Sequence, residues 1–148
     1  MQGRRKASHV WDGNMPAEPD AVNLQVPFQA PSASVVRREL RSWLEQKGLE
    51  GETVDDARVV VSELVGNSVR HAAPLGSNEI AVSWSLEGDD LVISVSDGGG
   101  ATTPQVLSTE RSAISGRGLG IVEALVDRWW VDNERGQTTV HVRIPLDG

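Results

Sequence analysis

The chain has 148 residues, a length that suits one domain with one hydrophobic core. It contains no cysteine, which excludes disulfide bonds, thiol catalysis and cysteine-bound zinc. Its formal net charge of −7 disfavours direct binding to nucleic acid. No apolar run approaches the roughly 20 residues that a membrane span needs, so we expect a cytoplasmic protein that does not insert into membranes.

Residues 1–20 combine glycine, proline and charged residues with little apolar periodicity. A segment of this composition buries too little apolar surface to fold, so we predict a flexible N-terminal tail. We expect the remaining residues, 21–148, to form the folded domain.

The folded part begins with a predicted strand and a predicted helix. Residues 22–26 alternate apolar and polar side chains, which predicts a strand, and Pro27 favours a position at the edge of a sheet. Either Ser32 or Ser34 is expected to cap the first helix, and Gly48 is expected to end it.

A second helix is expected to begin at Thr53, with Asp56 at the capping-box position, and to stop near Ala73 because Pro74 follows. The rest of the chain predicts two strand pairs separated by a glycine-rich loop and a short helix. These elements are strands at 80–84 and 91–95, a loop at 98–116, a helix from about Arg117, and strands at 129–132 and 138–144. Hairpins flanked by helices indicate an α+β fold, a two-layer α/β sandwich whose helices cover one face of a mixed, mostly antiparallel sheet.

Two polar residues lie beside the apolar stripe of the second helix. Glu63 and Asn67 are four residues apart and therefore share one helical face. An asparagine oxygen suits a hard cation such as magnesium, and Glu63 could orient or deprotonate a hydroxyl near the same metal. His71, one turn further on, would cap the stripe or contact phosphate. The alternative is that Glu63 and Asn67 lie on the solvated side of an amphipathic helix.

A carboxylate lies just after the predicted strand at 91–95 and precedes three glycines. Asp97 is in phase with the apolar residues of that strand, so it should face the core, where it needs a donor such as the amino group of adenine. Thr138 is in phase with the apolar residues of the last strand, and this parity favours Thr138 over Thr139 as the support for Asp97. The alternatives are a plain Asp-Gly turn and a β-branched residue that only fills its strand.

A second glycine-rich segment should open the third helix, and it consists of Gly116, Arg117, Gly118, Leu119 and Gly120. Backbone amides at the start of a helix bind phosphate, and glycines allow close approach. The guanidinium of Arg117 could reach a terminal phosphate. The segment is neither a dinucleotide fingerprint, because a long loop precedes it, nor a Walker A loop, because the Gly-Lys-Ser/Thr ending is missing.

The order and spacing of these segments resemble the ATPase superfamily that includes gyrase, histidine kinases and mismatch-repair ATPases. Residues 63–72 resemble its N box, residues 96–99 its first glycine box and residues 116–120 its second. Ala101 stands where the family's first glycine box has its second glycine. The resemblance covers about residues 22–145 and implies the Bergerat fold, with ATP and Mg²⁺ as its ligands.

The same resemblance implies roles for individual residues. It implies Asn67 as the magnesium ligand and Glu63 as the general base. It implies that Asp97 recognises adenine and that Thr138 supports Asp97. The other expected nucleotide contacts are His71, Gly99 and the segment 116–120.

Within that superfamily, a stand-alone domain of this size resembles the bacterial anti-sigma-factor serine/threonine-protein kinases of the stress-response and sporulation type. The resemblance implies a kinase that binds a sigma factor, phosphorylates an anti-sigma-factor antagonist on Ser or Thr, and so regulates transcription. It also implies a homodimer. One alternative is a non-enzymatic switch that binds ATP and sequesters a sigma factor or other regulator without phosphoryl transfer. Another is a domain that only binds protein.

Overall fold

The structure, a computed structural model, describes residues 21–99 and 120–146, and the predicted N-terminal tail at 1–20 lies outside them. The element order in the described residues agrees with the order predicted from the sequence. The strands and helices are β1 Ala21–Pro27, α1 Ser32–Gln46, α2 Glu52–His71, β2 Glu79–Glu87, β3 Asp90–Asp97, α3 Gly120–Leu125, β4 Arg128–Glu134 and β5 Gln137–Pro145.

The five strands form one sheet in the order β1-β2-β3-β5-β4, and every neighbouring pair is antiparallel. β1 is an edge strand, as the proline at its end predicted. Strand β3 lies at the centre, between β2 and β5. The C-terminal end of β3 therefore lies inside the sheet, where its side chains are shielded on both sides by neighbouring strands.

Alternate residues of β2, β3 and β5 are buried, which places one face of the sheet against the helices. Helices α1 and α2 pack against each other, and α2 also packs against β3, β5 and α3. The largest fully buried side chains come from both layers: Leu40, Leu44, Ile80, Leu91 and Ile93. The chain is thus a two-layer α+β sandwich with its core between the layers. Among the described helices, none is long and apolar enough to cross a membrane.

The start of α1 differs from the sequence prediction. Pro31 occupies the N-cap position, and neither Ser32 nor Ser34 makes a side-chain capping bond. Instead, the Ser32 hydroxyl donates to the carbonyl oxygen of Pro27 at 2.7 Å, because the tight turn after β1 brings that carbonyl close. The end of α1 agrees with the prediction, since Gly48 follows the helix with a φ of 80°, in the left-handed region that favours glycine.

The start of α2 also differs from the prediction, by one residue. The helix begins at Glu52 with Gly51 as its N-cap, so Thr53 lies within the first turn and no side chain caps the helix. Glu52 and Asp55 lie in the first turn, where negative charge interacts favourably with the helix dipole. The helix ends at His71, ahead of Pro74, as expected.

Candidate functional site

The site is built where the last two turns of α2 meet the C-terminal end of β3. Asn67 and Ser68 lie on the buried side of α2 and are 1% and 4% exposed. Asp97, the last residue of β3, is also only 1% exposed. Three polar side chains are therefore enclosed at one end of an otherwise apolar interface, and such burial is stable only when the groups have hydrogen-bond partners.

Each oxygen of the Asp97 carboxylate accepts a hydrogen bond from a different element. The Ser68 hydroxyl donates to Asp97 Oδ2 at 2.5 Å, across the contact between helix and strand. The backbone amide of Gly99 donates to Asp97 Oδ1 at 2.8 Å. Asp97 therefore faces the core side of the sheet, as strand alternation predicted, and its carboxylate is fixed by two different elements.

The backbone after α2 is also bonded to the backbone after β3. The Gly98 amide donates to the Ala73 carbonyl at 2.7 Å, and the Ala73 amide donates to the Gly99 carbonyl at 2.7 Å. Together with the Ser68–Asp97 bond, these contacts hold the segment resembling the N box against the segment resembling the first glycine box. The relative position of Asn67 and Asp97 is consequently set by three hydrogen bonds between the two segments.

The three polar residues on one face of α2 differ in exposure. Asn67 is buried, Glu63 is half-buried and His71 is exposed. Burial of Asn67 excludes the solvated-face alternative for this residue. Glu63, one turn before Asn67, lies at the border between the apolar interface and solvent, where a carboxylate can remain hydrated and still contact a bound molecule.

Thr138 lies directly opposite Asp97 in the register of β3 and β5, and it is buried. Thr138 therefore faces the core side, as strand parity predicted, whereas Thr139 is on the other face and its hydroxyl bonds with that of Ser96 at 2.7 Å. The Thr138 hydroxyl, however, donates to Asn133 Oδ1 at 2.8 Å. The Ser68 hydroxyl, by contrast, is bonded to Asp97.

Ser68 is not among the site residues predicted from the sequence, although its position on α2 indicates that it is buried. Ser68 is four residues after Leu64, which is fully enclosed in the core, so it lies on the same buried stripe of α2. A small hydroxyl residue at a core position of a helix needs a partner. The sequence does not identify that partner, because Asp97 lies in a different element.

Part of the predicted site lies outside the described residues. Gly116, Arg117, Gly118 and Leu119 are among these positions, as is Ala101. Gly120 begins the described part of α3 and is exposed. Val122, two residues later, is buried and joins the core next to α2. The described part of α3 therefore packs beside the helix that carries Glu63 and Asn67.

A second polar cluster lies on the opposite face of the sheet. His141 bonds through Nδ1 with the Ser94 hydroxyl at 2.7 Å and through Nε2 with Asp132 Oδ2 at 2.8 Å. The ring of Trp130 stacks on the His141 ring with centroids 5.1 Å apart. These contacts join β3, β5 and β4, and they are separated from Asp97 by the thickness of the sheet.

Known proteins are similar to this chain over most of its length. A family model described as a histidine kinase-like ATPase domain matches residues 26–144. The chain is 31% identical over 120 residues to the serine-protein kinase RsbW of Listeria monocytogenes serotype 4a (strain HCC23), covering 73% of this chain and 76% of that protein. It is 26% identical over 137 residues to the serine-protein kinase RsbW of Staphylococcus aureus (strain JH9), covering 84% of this chain and 86% of that protein.

A solved structure shows the same architecture. The crystal structure of the RsbU and RsbW domains of Rv1364c from Mycobacterium tuberculosis is similar with a TM-score of 0.66 and 26% sequence identity. The similarity covers 85% of this chain and 32% of that one, so this chain spans about a third of the length of that protein. The matched residues include α2 and the end of β3, the two elements that build the site. The chain belongs to the family of histidine kinase-like ATPase domains.

Proposed function

We propose that this chain is an ATP-dependent protein serine/threonine kinase that also acts as an anti-sigma factor. The observation that carries the proposal is the junction of α2 and β3, where Ser68, next to Asn67, is bonded to Asp97. The names of the relatives, serine-protein kinase RsbW, support the activity. The anti-sigma role rests on the resemblance of the sequence motifs to those of anti-sigma-factor kinases.

Asp97 is assigned to the adenine of ATP. A carboxylate can accept about four hydrogen bonds, so the bonds from Ser68 and Gly99 do not by themselves exhaust the acceptor capacity of Asp97. The amino group of adenine is a donor, whereas the corresponding group of guanine is an oxygen acceptor. A buried, oriented carboxylate therefore fits an adenine nucleotide and disfavours guanine.

Asn67 is assigned to the magnesium ion that accompanies ATP. Its carboxamide is enclosed at the end of α2, and amide oxygens are common ligands of hard cations. A nucleotide-bound magnesium ion keeps several waters and needs few protein ligands, so the chemistry of Asn67 fits it. The ion would neutralise phosphate charge, which is a main contribution to catalysis of phosphoryl transfer.

Glu63 is assigned the role of general base. It would accept the proton of a Ser or Thr hydroxyl on the partner protein as that oxygen bonds to the terminal phosphorus of ATP. The bond from this phosphorus to the bridging oxygen breaks, and ADP leaves. The half-buried position of Glu63 supports this role, because the hydroxyl of a second protein must reach it from solvent.

The proposed partners are a sigma factor, which the protein would sequester, and an antagonist protein, which it would phosphorylate. The proposal includes a cytoplasmic location and a homodimer. The assembly is tested by sedimentation, in which a monomer at high micromolar concentration would reject the dimer. The other assigned nucleotide contacts within the described residues are His71, Gly99, Gly120 and Thr138, and Arg117 is assigned to the terminal phosphate.

The experiment is incubation with terminally labelled ATP, magnesium and a candidate antagonist. Glu63→Gln keeps the size of the side chain and removes its basic charge, so transfer should fall by about 10²–10⁴-fold while ATP affinity changes much less. Glu134→Gln, at an exposed glutamate that ends β4, is the matched control and should transfer at the wild-type rate.

The outcomes separate the possible functions. Binding of ATP without transfer by the wild-type protein would identify a non-enzymatic switch. Failure to bind ATP would leave a domain that only binds protein. Equal transfer by wild type and Glu63→Gln would retain the kinase and show that another group is its base.

A further inference from the structure

Ser68 makes an unusual hydrogen bond for a serine in the last turn of a helix. Such hydroxyls commonly donate to a backbone carbonyl in the preceding turn of their own helix. The Ser68 hydroxyl instead donates to Asp97 Oδ2 at 2.5 Å, in a different layer of the fold. Both residues are buried, so solvent does not compete with this bond. The hydroxyl therefore couples the position of α2 to the orientation of one carboxylate.

The bond has a geometric consequence for Asp97. The terminal torsion of an aspartate side chain has broad minima, so the plane of its carboxylate is not fixed by intrinsic preference. The Gly99 amide holds Oδ1 and the Ser68 hydroxyl holds Oδ2, which gives each oxygen its own donor from a different direction. The plane of the carboxylate is thus set before any ligand binds, and such preorganisation strengthens and sharpens binding.

The bond also has a chemical consequence for Ser68. A hydroxyl has one hydrogen, and in this structure that hydrogen is directed to Asp97. Its oxygen can then offer only lone pairs to a third group. Ser68 and Asp97 together present acceptors and no donor, which attracts an amino group and repels a carbonyl oxygen.

From this juxtaposition we infer that Ser68 is a positioning residue for base selection: by donating to Asp97, it orients the carboxylate and makes the pair select 6-aminopurine nucleotides over 6-oxopurine nucleotides. The inference rests on the proposed function, in which Asp97 reads adenine. It adds that the selectivity for the base depends on both Ser68 and Asp97. Loss of the Ser68 hydroxyl removes one of the donors that fix the plane of the carboxylate.

The test compares ATP with inosine triphosphate, which carries an oxygen in place of the 6-amino group. Calorimetric titration gives the affinity of both nucleotides for wild type, Ser68→Ala and Ser68→Thr, with thermal unfolding as the control for folding. Ser62→Ala, at a half-buried serine elsewhere on α2, is the matched control. The quantity compared between variants is the ratio of the affinity for ATP to the affinity for inosine triphosphate.

The wild-type protein should prefer ATP, and Ser68→Ala should lower the ratio by about tenfold, the effect of one hydrogen bond to a charged group. Ser68→Thr, which keeps the hydroxyl, and Ser62→Ala should retain the ratio. Ser68→Cys, which has a similar shape but a weak donor, should also lower it and replaces Ser68→Ala if that variant does not fold.

Two results would overturn the inference while leaving the proposed function intact. In one, Ser68→Ala lowers the affinity for both nucleotides by the same factor, which indicates a purely structural role of the hydroxyl. In the other, neither affinity changes, which indicates that the hydroxyl plays no part in binding. Failure of the proposed function looks different, because the wild-type protein itself then binds neither nucleotide or binds both equally.

Discussion

Gly98 lies against the carbonyl group of Pro74, so closely that a Cβ atom at position 98 would come within 2.3 Å of the Pro74 oxygen. The approach is maintained by the two backbone hydrogen bonds between Ala73 and the Gly98–Gly99 segment. A glycine is therefore required here because of contact with backbone, which cannot move aside as a flexible side chain can. The first glycine box is held against the end of α2 by this contact.

Gly98→Ala should consequently push the first glycine box away from the segment that follows α2. Inserting one methyl group into a well-packed contact costs about 1–3 kcal/mol, and we expect a loss of this size in the free energy of unfolding. ATP affinity should fall as well, because Asp97 precedes Gly98. Gly76→Ala is the control, since no atom lies within 4 Å of a Cβ at that position. Urea denaturation that gives both variants the same stability would contradict the close contact.

Two serines near the start of α1 should differ sharply in their contribution to stability. Ser32 is buried and donates to the Pro27 carbonyl at 2.7 Å, whereas Ser34 is exposed. Ser32→Ala leaves a carbonyl without this donor and should cost about 1 kcal/mol, whereas Ser34→Ala should stay within about 0.5 kcal/mol of wild type. Thermal and urea unfolding of the pair measure the difference. Equal losses would contradict a stabilising role for the bond between Ser32 and Pro27.

Asn67 should account for the magnesium dependence of ATP binding. Asn67→Ala removes the side-chain oxygen assigned to the ion, so ATP affinity measured with magnesium should fall to the level measured without it. Calorimetric titration with and without magnesium gives this comparison, and circular dichroism verifies that the variant is folded. If magnesium raises the ATP affinity of Asn67→Ala as much as that of the wild-type protein, Asn67 is not a ligand of the metal.

The sequence predicted those features of the site that depend on local periodicity. Strand alternation placed Asp97 and Thr138 on the core side, and both are buried. Helical periodicity placed Asn67 beside the apolar stripe of α2, and it too is buried. These predictions succeed because a period of two or 3.6 residues determines which side of an element a residue faces.

The features that depend on contacts between elements were not predictable in the same way. The hydroxyl bonded to Asp97 comes from Ser68, although the parity of β5 suggested Thr138. Similarly, the Ser32 hydroxyl has two possible uses near a helix start, and the turn after β1 directs it to Pro27. Hydroxyl groups bond with whichever acceptor the packing brings near, so their partners follow from the tertiary structure.

The assignment of Asp97 to adenine is tested most directly by calorimetric titration of the wild-type protein and Asp97→Asn with ATP and with GTP. The wild-type protein should bind ATP more tightly than GTP, because the buried carboxylate accepts from an amino group and repels an oxygen. Asp97→Asn should weaken ATP binding by about 1–3 kcal/mol, the cost of one mispaired buried group. Equal affinity of the wild-type protein for ATP and GTP would contradict the assignment.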